Sequence, residues 1–284
     1  MKRCDTKAQL GVMVQQTRAV GKKVGFVPTM GALHPGHASL IERASNECDF
    51  VVVSVFVNPT QFDNAQDFAT YPIALERDID VAQAAGAHAV FTPQVVELYG
   101  GDLAVEPVNY GRLTSTFEGK MRKGHFDGVV AVVRKLFQAV QADAAYFGEK
   151  DLQQLAVIRR LAADEFEGLE IVGCPLIREE DGLAMSSRNV RMSDDDRQTA
   201  LHLSGWLKSI RADVSAGIEV GKLLDKVRLE AAAVEGLELE YVDAVNGHTF
   251  EPHQVTGNGN GVFAIIAADV GGIRLIDNCR LACS

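Results

Sequence analysis

At 284 residues, with 47% hydrophobic and 23% charged, the chain has the balance of a globular protein with a large core, in one large or two ordinary domains. A formal net charge of −10 disfavours the basic patches on which nucleic-acid binding rests. Apolar runs such as 50–57 fall far short of the roughly 20 residues that cross a bilayer.

The start, MKRCDTKAQL, has no apolar block behind its basic residues, so no signal peptide is expected and a cytoplasmic location is. Cys4, Cys48, Cys174, Cys279 and Cys283 are odd in number and form no CxxC pair, against both a disulfide framework and a tetrahedral zinc site.

In chain order, 24–27 reads as a strand, 35–48 as a helix, 50–57 as a strand and 74–85 as a helix. Strands at 89–92, 144–147 and 169–172 then alternate with helices at 128–141 and 151–163. This β-α alternation, with apolar, β-branched strands (VVVSVFV), predicts a parallel sheet covered on both faces. After Cys174-Pro175 the texture changes. Two amphipathic helices, 192–215 and 218–235, precede alternating strands at 237–245, 262–268 and 273–279. Ser193 is the expected cap of the first, with Asp194, Asp195 and Asp196 in its first turn. The fold class is therefore α/β: a doubly wound parallel-sheet domain over 1–176, then a smaller α+β domain over 177–284. The glycine-rich 256–261 reads as a mobile turn between strands.

In an open parallel sheet, ligands bind at the carboxyl ends of the strands. The segment PTMGALHPGH (28–37) leaves the first strand, turns through glycine and enters a helix whose free N–H groups favour phosphate. His34 and His37, three apart, can put both rings on one side and stabilise charge developing on a nucleotide. Asn58 and Gln61 follow the second strand, and Gln154 begins a helix; neutral amides suit a carboxylate that must stay nucleophilic. Lys150 is a mobile point charge for phosphate oxygens, between Gly148 and Asp151, which would line the nucleotide. Met185, Ser186, Ser187 and Arg188 offer two hydroxyls and a guanidinium able to grip two oxygens at once. The stretch 118–126 reads as a polar, glycine-punctuated loop, a natural lid over a water-sensitive intermediate.

The HxGH element resembles the nucleotidyltransferase superfamily that includes class I aminoacyl-tRNA synthetases. The ordered set PTMGALHPGH (28–37), VFVNPTQF (55–62), GHFDGV (124–129), YFGEKDLQQ (146–154) and AMSSRN (184–189) is similar to the pantothenate synthetase family. That resemblance implies ATP-dependent joining of pantoate to β-alanine through a pantoyl-adenylate, magnesium with the ATP, a Rossmann-like nucleotide domain with a C-terminal lid domain, and a homodimer. It also implies ATP contacts at Met30, Gly31, His34, His37, Gly148, Lys150, Asp151, Ile177 and 185–188, and pantoate contacts at Gln61 and Gln154. The 185–188 stretch matches the KMSKS-like position of related adenylating enzymes. Three departures stand out. Lys123 replaces a usual proline, Arg191 and Met192 replace the usual Tyr and Leu, and Asp78 lies near a magnesium position of some relatives without matching flanks.

Other readings are an AMP transferase acting on a phosphorylated precursor, a tRNA-charging fragment, and a non-catalytic nucleotide sensor. The first would want basic residues where Asn58, Gln61 and Gln154 stand. The second fits poorly with the acidic balance, and the third with five populated motifs.

Overall fold

The computed structural model describes residues 1–62, 68–253 and 261–281. They divide into two compact units, one of Met1–Glu149 and Val157–Pro175, the other of Lys150–Ala156 and Leu176–Ser284.

The first unit is an α/β sheet of six strands: β1 (Lys2–Cys4), β2 (Val24–Thr29), β3 (Phe50–Val55), β4 (Ala89–Phe91), β5 (Ala144–Gly148) and β6 (Glu170–Cys174). Their order is β1-β4-β3-β2-β5-β6 and every pairing is parallel. The chain winds outward from β2 through β3 to β4, then returns to the other side of β2 for β5 and β6. The order therefore reverses between β2 and β5, the position at which open α/β sheets bind ligands. Val51, Val53, Val90, Ala144 and Tyr146 are wholly buried, which explains the unbroken apolar strand runs.

Helices α1 (Lys7–Ala19), α2 (Pro35–Glu47), α3 (Leu75–Ala84), α4 (Val95–Tyr99), α5 (Arg112–Ser115), α6 (Glu118–Met121), α7 (His125–Val140) and α8 (Leu152–Glu165) connect the strands, the last with its first turn in the second unit. Strands β2 to β6 and helices α2, α3, α7 and α8 are legible in the sequence; β1, α1 and the short α4 and α5 are not. Only Cys4 of β1 is buried, and α1 buries only Leu10 and Val14, so neither shows a strong apolar period. The usable signal was the capping box of Thr6 and Gln9.

The stretch 118–126 is not the loop its composition suggested. It forms α6 and the start of α7, with Glu118, His125 and Phe126 buried. Gly124, at φ +79°, turns the chain between the two helices.

The second unit packs α9 (Asp194–Ser215) and α10 (Val220–Ala231) with an antiparallel sheet, β7 (Leu237–Asn246), β8 (Val262–Val270) and β9 (Ile273–Arg280). Ser193 caps α9 as expected, its Oγ accepting the Asp196 N–H at 3.1 Å. Leu203, Leu207, Ile210 and Val214 form the buried stripe of α9. Of the expected glycine-rich turn, 256–260 lies outside the described residues.

Candidate active site

The carboxyl end of β2 delivers a tight turn into α2. Gly31 (φ +90°) and Ala32 (φ +51°) are both left-handed, and Pro35 opens the helix behind the N-cap His34. The rings of His34 and His37 lie with centroids 4.0 Å apart and planes tilted by 43°, so the three-residue spacing does place them on one side. The His34 backbone N–H donates to His37 Nδ1 at 3.4 Å.

Asp78, which the mismatched flanks kept out of the expected site, lies in the first turn of α3. Its two oxygens accept the N–H groups of Ala32 (3.0 Å) and Leu33 (2.6 Å), and it is 1% exposed.

The carboxyl end of β3, beside β2, enters a 3-10 turn, Pro59–Gln61. Gln61 is half-buried, and its Nε2 donates to Met30 Sδ at 2.7 Å, so the glutamine and the residue opening the HxGH turn touch. Asn58 is placed differently. It is 1% exposed, and its Nδ2 donates to Gln61 Oε1 (3.2 Å) and the Gly128 carbonyl (3.1 Å). Its Oδ1 accepts the Tyr99 hydroxyl (2.8 Å) and the Thr60 hydroxyl (3.1 Å). Both amide hydrogens and the carbonyl oxygen are engaged within the protein, which makes Asn58 a support of Gln61 rather than a ligand-facing amide.

The GHFDGV motif braces the same turn from α7. His125 Nδ1 donates to the Gln61 carbonyl at 2.8 Å, and Arg122 reaches the other ring nitrogen at 3.1 Å. Gly128 allows the approach, because a Cβ there would run into the Thr60 carbonyl. His125, Gly128 and Tyr99 were not singled out in the sequence. Their roles depend on contacts 41 to 70 residues away along the chain.

β5 ends at Gly148, and the 3-10 turn Glu149–Asp151 follows. In the second unit, Lys150 lies with Nζ 3.8 Å from Asp151, and Gln154 is half-buried while the adjoining Gln153 is packed inside. Ile177 is 36% exposed, so it is not a core residue. Its carbonyl accepts the Met185 N–H at 3.0 Å. Met185, Ser186, Ser187 and Arg188 are all half-buried, with Ser186 Oγ accepting the Arg188 N–H at 3.3 Å. Asn189 fastens this segment from inside, through Glu179 (2.5 Å) and the Ala184 carbonyl (3.0 Å).

One cluster, built on the buried Asp277 and Asn278, anchors both cation-bearing segments. Arg178 grips Asp277 at 2.7 and 3.0 Å and also donates to the Gly182 and Asn278 carbonyls, while the Asn278 amide donates to the Lys150 carbonyl at 3.0 Å.

Burial pushes the thiols of Cys4, Cys48 and Cys174 up, and that of Cys279 up to about 11. Such thiols stay protonated and unreactive near neutrality.

No helix among the described residues is long and apolar enough to cross a membrane. A family model described as pantoate-beta-alanine ligase matches residues 2–280. A pantothenate synthetase of Bacteroides fragilis is 46% identical over 276 residues, 97% of this chain and 96% of its own. The crystal structure of pantothenate synthetase from Thermus thermophilus superposes with a TM-score of 0.90 at 42% identity, covering 99% of this chain and all of that one. Pantoate-beta-alanine ligase from Francisella tularensis, complexed with beta-gamma ATP and beta-alanine, gives 0.81 at 34% identity, covering 98% of this chain and 97% of its own.

Proposed function

The chain belongs to the pantoate-β-alanine ligase family, and from that premise we propose that it condenses pantoate with β-alanine using ATP. A pantoate carboxylate oxygen attacks the α-phosphorus of ATP and pyrophosphate leaves. The β-alanine amine then attacks the acyl carbon of the adenylate and AMP leaves, giving pantothenate. ATP and β-alanine, the ligands of the Francisella relative, are assigned to this chain on the same ground.

The observation that carries the reading is the shared origin of the unlike groups the reaction needs. From the carboxyl ends of the adjacent strands β2 and β3 come an imidazole pair at a helix start and a glutamine in contact with Met30. In this assignment His34, His37, Lys150 and Arg188 stabilise charge on the transferring phosphoryl and leaving pyrophosphate groups. Met30, Gly31, Gly148, Asp151, Ile177, Met185, Ser186 and Ser187 complete the nucleotide contacts. Gln61 and Gln154 hold pantoate as neutral donors, which leave the attacking carboxylate its electrons. Asn58 acts through Gln61.

Mg2+ enters with the triphosphate. Among the described residues no three His, Cys, Asp or Glu side chains gather into a cage. An ion that keeps phosphate and water oxygens as most of its ligands needs none. Residues 1–176 serve as the nucleotide and pantoate domain and 177–284 as the lid, in a cytoplasmic homodimer.

The test is pyrophosphate release. With ATP and pantoate alone it should appear as a burst stoichiometric with enzyme, and β-alanine should convert the burst to steady turnover. Release that ignores pantoate, or formation of ADP, would overturn the proposal.

A further inference from the structure

We propose that Asp78 is a positioning residue that holds the HxGH turn in its left-handed conformation, and that it is not a ligand to the magnesium of ATP. The turn stores strain. Gly31 adopts a positive φ freely, but Ala32 at φ +51° pays a cost of roughly 1–2 kcal/mol for its Cβ. Strained residues persist only where their surroundings over-determine them; here Thr29 Oγ1 accepts the Gly31 N–H at 3.2 Å, and one carboxylate holds the next two amides. Asp78 Oδ2 and Oδ1 take the N–H groups of Ala32 and Leu33 at 3.0 and 2.6 Å, so successive amides close around an anion supplied by the protein. The carboxylate also lies against Gly31, where an added Cβ would meet Oδ2 at 2.9 Å. Glycine is thus required at 31 for space as well as for φ. Leu33 is buried and His34 caps α2 directly after it. The Asp78 clamp therefore fixes the direction in which the chain enters α2, and with it where the two rings lie.

The same geometry disfavours a metal at Asp78. Both of its oxygens already hold amides, in a position 1% exposed. Its place in the first turn of α3 supplies a further partner for the negative charge, the helix amino end.

The kinetic arms of the test rest on the adenylation reading; the others do not. Asp78→Asn keeps the shape but turns an N–H against one of the two amides. It should lower kcat for pantoate-dependent pyrophosphate release by about 10- to 100-fold, as expected for a small displacement of catalytic groups. The Mg2+ concentration for half-maximal rate should not move. Adding Ala32→Gly, which adopts the left-handed conformation without cost, should recover at least about fivefold, and the melting temperatures of the two single variants and the double should be non-additive. In the nucleotide-free protein, the Leu33 amide proton should lose the downfield shift of a short charge-assisted hydrogen bond.

A higher Mg2+ requirement with kcat restored at saturating Mg2+ would make Asp78 a metal ligand and overturn the proposal. So would wild-type activity in Asp78→Asn, or strict additivity with Ala32→Gly. Should Asp78→Asn not fold, Gly31→Ala, which pushes the intact carboxylate off the amides, must show the same kcat loss at unchanged Mg2+ dependence; a wild-type kcat there overturns the proposal equally. Absence of pantoate-dependent release in the wild type would sink the adenylation reading, while the melting and amide-proton arms still decide the role of Asp78.

Discussion

Arg178 meets Asp277 through two nitrogens, at 2.7 and 3.0 Å, and the carboxylate is almost wholly buried. Burial raises the Asp277 pKa, against the opposing pull of the guanidinium. Removing one partner of such a pair leaves an uncompensated charge.

Arg178→Ala should therefore lower unfolding stability by about 3 kcal/mol in urea titration. Because Asn278, next to Asp277, holds the Lys150 carbonyl, the variant should also slow adenylate formation. Arg178→Lys keeps the charge without the planar fork and should recover only part of both losses.

Asn58 and Gln61 should separate cleanly. Asn58→Ala removes the buried bonds to the Tyr99 hydroxyl and the Gly128 carbonyl and should lower stability by about 1–3 kcal/mol while raising KM for pantoate. Gln61→Ala should raise KM for pantoate with a melting temperature near that of the wild type. Parallel melting curves and pantoate titrations give both readouts.

How legible this was follows from where the determinants lie. The apolar strand runs and the HxGH spacing are local, so β2, α2, β3 and the placing of the His34 and His37 rings on one side can be read directly. Asn58 could be placed at a strand end but not assigned its direction, which is set by Tyr99 and Gly128 in distant elements. Asp78 carries no local pattern at all, since its partners lie 45 and 46 residues before it. The 118–126 stretch reads as a loop because two of its three buried residues are a glutamate and a histidine, whose burial only their partners explain.

His34→Ala and Lys150→Ala should each slow adenylate formation by about 100- to 1,000-fold, the usual cost of one preorganised donor, with the fold intact by circular dichroism. Single-turnover release of pyrophosphate measures the effect.

The thiols should behave as buried groups. Labelling at pH 8 should spare Cys4, Cys48, Cys174 and Cys279 until the chain is unfolded. Their folded pKa values are raised, so the folded state holds these protons more tightly than the unfolded chain. Any stability they confer is complete below the ordinary thiol pKa, about 9, and for Cys279 is lost as pH rises through about 11. Urea midpoints measured from pH 8 to 11 should fall across that window.

The most direct test of carboxylate attack on the α-phosphorus uses pantoate labelled with 18O in its carboxyl group. After turnover with ATP and β-alanine, one labelled oxygen should be found in the phosphate of AMP, because the bond to the acyl carbon is the one the amine breaks. Label found in inorganic phosphate, or AMP free of it, would contradict passage through an acyl-adenylate.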